Sequence, residues 1–206
     1  MSLTNLTGSL NFGFGNRRQF DARALPAFIL MTDEKRLADP LPVVRSLPAN
    51  SAVILRHYDF PGREDLAVRL VALGRRRGVR ILIAGDARLA HKVGADGLHM
   101  PEYLAARGPG RWRAWRRPDW LVTAAAHSPA ALFRAVRSGA DAALLAPVFQ
   151  TASHPDSRPL GCLMFAAWCR ESPLPVYALG GVSETSQRRL KGSGAAGWAG
   201  IGGFLP

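Results

Sequence analysis

The sequence predicts an α/β protein of the (β/α)8 class, a compact TIM barrel. Eight short apolar segments recur along the chain, polar helix-like segments separate several of them, and glycine stands at many of the junctions. Apolar segments of this length are typical of buried strands in a parallel sheet. Strands that alternate with helices indicate consecutive βα units. Eight such units in residues 25–206 fit a single barrel domain.

The predicted strands follow one another at short intervals. They occupy residues 27–32, 52–58, 80–85, 97–100, 121–126, 142–147, 175–182 and 197–203. Helices are predicted at residues 66–74, 87–93 and 162–170, and a polar, helix-like segment covers residues 183–194. Another helix begins after Ser128, whose hydroxyl can cap it, with Pro129 at its first position. Only three residues follow Gly203, so the eighth helix is predicted to be absent or short.

Three similar tripeptides stand between a predicted helix and the next strand. They are Gly94-Ala-Asp, Gly139-Ala-Asp and Gly194-Ala-Ala. A glycine at this place ends a helix in the left-handed conformation, and the strand can then begin at once. The repeat predicts βα units of similar construction.

The last two predicted strands each end on a pair of glycines. Gly180 and Gly181 follow the seventh strand, and Gly202 and Gly203 close the eighth. Without side chains, the backbone N–H groups at such positions can face an anion. In eight-stranded barrels, phosphate is commonly bound after strands seven and eight. The pairs therefore predict a phosphate-binding site.

The chain is strongly basic, with a net charge of +12 that comes from 24 Arg and three Lys against 15 acidic residues. Two Arg clusters lie at residues 75–80 and 111–117, and the second alternates with Trp, a pattern that can bind a single nucleic-acid strand. The favoured interpretation is structural, because residues 75–80 lie where a predicted helix ends and cations stabilise that end. No apolar segment reaches the length of a membrane span, so a membrane partner is not expected.

Residues 1–24 form a polar leader without the apolar segment of a secretory signal. We expect a cytoplasmic protein whose domain begins at residue 25. Cys162 and Cys169, on one predicted helix, are interpreted as reduced thiols. The histidines and cysteines lack the spacing of zinc ligands, so no zinc site is predicted.

Candidate site residues stand where the predicted strands end, since barrels bind ligands there. Arg56 needs an anion, which is either a ligand phosphate or the structural carboxylate of Asp86. His127 is either a proton donor and acceptor or a surface histidine at a helix start. His99 is interpreted as a core histidine, with Glu102 after its strand. The loop after the sixth strand adds Thr151, Ser153 and His154.

Six motifs, in this order, resemble the thiamine-phosphate synthase/TenI superfamily. They lie at residues 28–33, 94–100, 139–141, 146–151, 159–161 and 176–182 within a match over residues 26–203. The resemblance implies a TIM barrel. Synthases of this superfamily join a pyrimidine pyrophosphate to a thiazole phosphate and release pyrophosphate with Mg²⁺. The TenI branch tautomerises the thiazole phosphate by acid–base chemistry without a metal.

Several positions depart from the residues that the resemblance implies for pyrophosphate and Mg²⁺. Tyr58 stands in place of a lysine, Ala125 in place of a serine, and His154 in place of a second lysine. Tyr103 or Leu104 stands where synthases have a second acidic metal ligand. These changes remove cations, a hydroxyl and a carboxylate, so the resemblance implies weakened synthase chemistry.

Other implied positions are kept. Asp86 matches the remaining metal ligand, so Mg²⁺ is expected only if synthase activity is retained, and His127 matches the acid–base histidine of TenI proteins. We expect a divergent member of thiamine biosynthesis that binds thiazole phosphate at the carboxyl end of the barrel, with impaired synthase chemistry. The alternatives are a thiazole tautomerase that uses His127, a non-catalytic phosphate-ligand binder, and an Arg/Trp nucleic-acid binder. A homodimer is compatible with each.

Overall fold

The computed structural model describes residues 25–108, 110–151 and 158–201 and contains a closed barrel of eight parallel strands in sequence order. Each strand pairs with the next, and the last pairs with the first. The strands are β1 (Phe28–Met31), β2 (Ala52–Leu55), β3 (Arg80–Ala84), β4 (Gly97–Met100), β5 (Leu121–Ala126), β6 (Ala142–Leu145), β7 (Val176–Leu179) and β8 (Gly197–Gly200). The predicted fold class is confirmed.

Helices alternate with the strands, as predicted. They are α1 (Leu41–Ser46), α2 (Arg63–Arg77), α3 (Ala87–Lys92), α4 (Glu102–Ala105), α5 (Pro129–Ser138) and α6 (Gly161–Glu171). Ser128 caps α5, since its Oγ accepts a hydrogen bond from the Ala131 N–H at 3.2 Å. Residues 183–194 form only a short 3-10 helix, Ser186–Leu190. The predicted leader at residues 1–24 and the predicted lack of an eighth helix after residue 203 lie outside the described residues.

Apolar side chains pack in two layers because successive strand residues point to opposite faces. Ile29, Met31 and Ile54 point into the barrel, whereas Leu30 and Val53 pack between the sheet and the helices. At the amino end, the buried Tyr177 hydroxyl donates a hydrogen bond to the Pro26 carbonyl at 2.6 Å. The barrel interior is therefore a packed core, and the space for a ligand lies beyond its carboxyl end.

The Gly-Ala-Asp repeat forms the turn that leads into a strand. Gly94, Gly139 and Gly194 all have the predicted left-handed backbone, with φ of 67°, 91° and 84°. The two repeats that contain an aspartate form a further bond. Asp96 Oδ2 accepts from the Ile81 N–H, and Asp141 Oδ2 accepts from the Val122 N–H, each at 2.8 Å. The carboxylates join the start of one strand to the previous strand.

Arginines of both clusters contact the backbone at the amino end of the barrel. Arg75, near the carboxyl end of α2, donates from Nη2 to the Gly94 carbonyl at 3.0 Å. Arg116 donates from Nη1 to the Gly139 carbonyl at 3.4 Å and also pairs with Asp141, at 3.2 Å between Nη2 and Oδ1. These contacts support the structural interpretation of the clusters. Cys162 and Cys169 both lie on α6 as free thiols. Among the described residues, no helix combines the length and apolar character needed to cross a membrane.

Candidate functional site

A cavity of about 710 Å³ opens at the carboxyl end of the barrel. Its wall comes from residues at or beyond the ends of seven strands, every one except β3. The lining residues are Met31, Asp33, Lys35, Arg36, Arg56, Tyr58, His99, Pro101, Glu102, Ala125, His127, Ala146, Pro147, Thr151, Leu179, Gly180 and Ile201. Its volume is that of a typical small-molecule site, and it lies at the end where the sequence predicts one.

Four predicted site residues meet in this cavity: Arg56, His127, Thr151 and Gly180. Two others do not line it, Gly181 and Asp86. The remaining predictions, Ser153, His154, Gly202 and Gly203, fall outside the described residues.

The glycine pair after β7 lies against the loop that follows β6. Gly180 and Gly181 have positive φ values of 90° and 64°. A Cβ on Gly181 would lie 2.3 Å from the Gln150 carbonyl oxygen, and one on Gly180 would lie 2.9 Å from Pro147 Cα. Close packing therefore requires these glycines, whether or not an anion binds. Within the described ranges, neither glycine N–H donates a hydrogen bond in a turn or loop.

Arg56 follows β2 and continues the inward alternation that begins at Ile54. Its own N–H donates to the buried Thr32 Oγ1 at 2.9 Å, which links the ends of β2 and β1. In the described part of the chain, no ion pair joins Arg56 to Asp86. Asp86 instead caps α3, because its Oδ1 accepts from the Leu89 N–H at 2.8 Å. Asp86 is therefore not the structural partner of Arg56.

Two cations of the cavity wall, Lys35 and Arg36, were missed by the sequence analysis. They follow Asp33 in the loop after β1, and Asp33 Oδ1 accepts both of their backbone N–H groups at 3.1 Å. Partial burial would raise the pKa of Asp33, but these bonds and the charges of Arg36 and Arg56 lower it by more. The rule that barrel sites lie at strand ends, applied to the whole loop, would have found them.

His99 is a buried residue of β4, as predicted. Its Nδ1 lies 2.9 Å from Thr123 Oγ1 on β5. Burial, and to a lesser degree the charge of Arg56, lowers the pKa of His99 to about 3. The ring is therefore uncharged at neutral pH and forms part of the cavity floor.

His127 forms a close pair with Glu102 at the rim of the cavity. Its Nδ1 lies 2.6 Å from Glu102 Oε2, and 58% of its side-chain surface is exposed. The other carboxylate oxygen, Oε1, accepts from Arg134 Nη2 at 2.7 Å. Burial would raise the pKa of Glu102, but its bonds to His127 and Arg134 lower it by more. An ionised carboxylate therefore holds one side of the His127 ring.

Comparison with known proteins decides the family. A family model described as thiamine monophosphate synthase matches residues 29–204. The chain belongs to the thiamine monophosphate synthase family. This confirms the resemblance found in the sequence and assigns the chain to a family of thiamine biosynthesis.

Relatives support this membership over most of the chain. This chain is 32% identical over 186 residues to "Putative thiamine-phosphate synthase 2" of Aquifex aeolicus. The aligned region covers 88% of this chain and 98% of that protein. This chain is also 33% identical over 144 residues to a thiamine-phosphate synthase of Thermus thermophilus, across 67% of each. Thiamine phosphate pyrophosphorylase from Pyrococcus furiosus has a similar fold, with a TM-score of 0.67, 21% identity and 87% coverage of both chains.

The resemblance implies Mg²⁺, but Asp86, the position that it matches to a metal ligand, does not line the cavity and caps α3 instead. Mg²⁺ at phosphate sites is usually held by one or two carboxylates together with the phosphates. Here Asp33 and Asp86 accept backbone N–H groups, and Glu102 accepts from His127 and Arg134. Within the described ranges, no group of three or more His, Cys, Asp or Glu residues could hold a metal ion.

Proposed function

We propose that this member of the thiamine monophosphate synthase family binds a thiazole phosphate in the cavity, with its phosphate near Gly180. The observation that supports this most directly is the meeting of Arg56, Thr151 and Gly180 around one cavity. Arg56 supplies positive charge, and the Gly180 and Gly181 N–H groups donate no loop hydrogen bond within the described residues. A monophosphate offers an acceptor for both kinds of donor.

We propose further that its synthase chemistry is impaired. Departure of pyrophosphate needs groups that neutralise the developing negative charge, and such groups usually make the largest contribution to catalysis. Tyr58 and Ala125 line the cavity at positions where the resemblance implies a lysine and a serine. Lys35 and Arg36 still attract anions from the β1 side, so a second phosphorylated compound can bind even where catalysis is slow.

A second candidate function, thiazole tautomerase, is favoured by the contact between His127 and Glu102. Tautomerisation moves a proton within the ligand, so it needs an acid or base at the site and no leaving-group chemistry. His127 lines the cavity, and one of its ring nitrogens is held at 2.6 Å by a carboxylate. Such a partner fixes the ring and leaves the second nitrogen for proton transfer.

Calorimetry with the full-length protein tests the binding proposal. Thiazole phosphate and the pyrimidine pyrophosphate are titrated separately, each with and without Mg²⁺. We expect thiazole phosphate to bind equally well in both conditions, and Arg56→Gln to weaken it at least tenfold, a loss of about 1.4 kcal/mol. Arg170→Gln removes an exposed arginine on α6, away from the cavity wall, and serves as the matched control.

Turnover assays separate the candidates. Release of pyrophosphate that depends on Mg²⁺, at a rate typical of biosynthetic enzymes, would contradict impaired synthase chemistry. Conversion between thiazole phosphate tautomers without Mg²⁺ would support the second candidate. Binding without either reaction would support a non-catalytic binder, and no binding of thiazole phosphate would refute the proposal itself.

A further inference from the structure

Three side chains form a hydrogen-bonded chain that runs from α5 to the cavity. Glu102 lies in the middle and uses one oxygen for each neighbour: Oε2 for His127 and Oε1 for Arg134. His127 and Glu102 line the cavity, whereas Arg134 does not. Arg134 therefore stands behind the site and reaches it through Glu102.

Arg134 is not placed like an arginine whose only role is to keep the surface of a helix polar. Its Nε is buried and has no hydrogen-bond partner in the part of the chain that the structure describes. A buried N–H group without a partner is costly. An arginine with no other role would turn that group to water, as Arg137 on the same helix can, because its side chain is exposed. The contact with Glu102 explains why Arg134 does not.

We propose that Arg134 is a positioning residue: its guanidinium binds Oε1 of Glu102 while Oε2 stays on Nδ1 of His127, and its charge limits the proton affinity that the carboxylate gives to the histidine ring. The inference rests on the proposed role of His127 in the cavity. When Glu102 accepts the Nδ1–H, Nε2 is the nitrogen of the neutral ring that can accept a proton. The arrangement thus prepares one defined nitrogen as a base.

Glu102 and Arg134 act on His127 in opposite directions. A carboxylate beside the ring favours the imidazolium, whereas the guanidinium beyond it opposes the imidazolium and offsets part of the carboxylate's charge. Other titratable or charged side chains lie on the cavity wall and on α4 and α5, the helices that carry or adjoin the pair. They are Asp33, Lys35, Arg36, Arg56, Tyr58 and His99 around the cavity, Tyr103 and Arg107 on or just after α4, and Arg137 on α5. None of these side chains is changed in the variants of Glu102 and Arg134, and Arg137 is changed only in its own control variant.

The test is an NMR titration of the His127 ring in the full-length protein without ligand, with the resonance assigned from its loss in His127→Asn. We expect the midpoint to fall in Glu102→Gln, which loses the carboxylate, and to rise in Arg134→Gln, which loses the guanidinium. Arg137→Gln, which removes an equal charge from the same helix, should leave it nearly unchanged because exposed charges are screened. Arg134→Lys keeps the charge and should restore most of the wild-type value.

A double variant tests whether Arg134 acts through Glu102. The rise caused by Arg134→Gln should be smaller when residue 102 is glutamine. An equal rise in both backgrounds, shifts of one sign in both single variants, or an effect no larger than that of Arg137→Gln would each overturn the proposal. Arg134→Met replaces Arg134→Gln if that variant does not fold. If neither folds, Glu102→Gln must still lower the midpoint, and its failure to do so overturns the proposal.

This titration and the calorimetry can fail independently. The ring is observed without any ligand, so the shifts can appear even if thiazole phosphate does not bind. In that case the proposed function is wrong and the positioning role stands. If thiazole phosphate binds but the shifts are absent, the positioning role is wrong and the binding proposal stands.

Discussion

Gly181 approaches the backbone of Gln150 so closely that a Cβ on the glycine would lie 2.3 Å from the Gln150 carbonyl oxygen. The same residue has a left-handed backbone, with φ of 64°. These two requirements can be separated by comparison with Gly192, whose φ is 78° and whose added Cβ would meet no atom within 4 Å.

We therefore predict different losses of stability for two glycine-to-alanine variants. Gly192→Ala should lower the free energy of unfolding by about 1–2 kcal/mol, the cost of a left-handed backbone. Gly181→Ala should lose a further 1–3 kcal/mol, roughly, because the new methyl group forces the two loops apart. Urea unfolding of both variants measures the difference. Equal losses would show that the loop after β6 yields readily and that packing does not require Gly181.

Short-range sequence patterns predicted the elements that depend on interactions between residues close together in the chain. Apolar segments placed the eight strands, and the alternation from Ile54 placed Arg56 at the cavity. The pattern could not predict the contact between Glu102 and Arg134, because it joins residues 32 apart through particular side-chain conformations. Residues 183–194 are polar enough for a helix, yet only five of them form a 3-10 helix.

The aspartate of the Gly-Ala-Asp repeat should contribute measurably to stability. Asp96→Ala removes the acceptor of the buried Ile81 N–H, and we predict a loss of about 1–3 kcal/mol in the free energy of unfolding. Asp96→Asn keeps an oxygen at this place and should lose less. The exposed Asp119, changed to alanine, is the matched control. Similar unfolding midpoints for Asp96→Ala and Asp119→Ala would contradict the bonding role.

The buried His99 should make stability depend on pH. Its pKa is lowered from 6.5 to about 3 in the folded chain, so below pH 6.5 the unfolded chain binds a proton that the folded chain refuses. Stability must then fall as the pH drops below 6.5, with a slope that approaches about 1.4 kcal/mol per pH unit for one proton. Unfolding curves of wild type and His99→Gln between pH 7 and pH 5 measure this. The variant should show a flatter dependence, and parallel curves would exclude a lowered pKa.

His127 provides the most direct prediction about chemistry. If it transfers the proton in a thiazole tautomerase, His127→Ala should reduce turnover by at least about 10²-fold, the usual contribution of a general acid or base. Binding of thiazole phosphate should persist, because the proposed phosphate contacts lie near Gly180 and Arg56. Tautomer conversion is followed by NMR of the ligand, and binding by calorimetry on the same preparation.

A surface histidine provides the control for this experiment. His91 on α3 is exposed and does not line the cavity, and its Nδ1 lies 3.0 Å from the Trp115 carbonyl oxygen. His91→Ala should therefore leave turnover unchanged. Equal turnover in wild type and His127→Ala would remove His127 from the reaction and leave its pairing with Glu102 as a structural contact at the rim. Loss of binding together with turnover would instead make His127 a ligand-binding residue, since a proton-transfer group acts on the rate of conversion and not on the affinity for the bound phosphate.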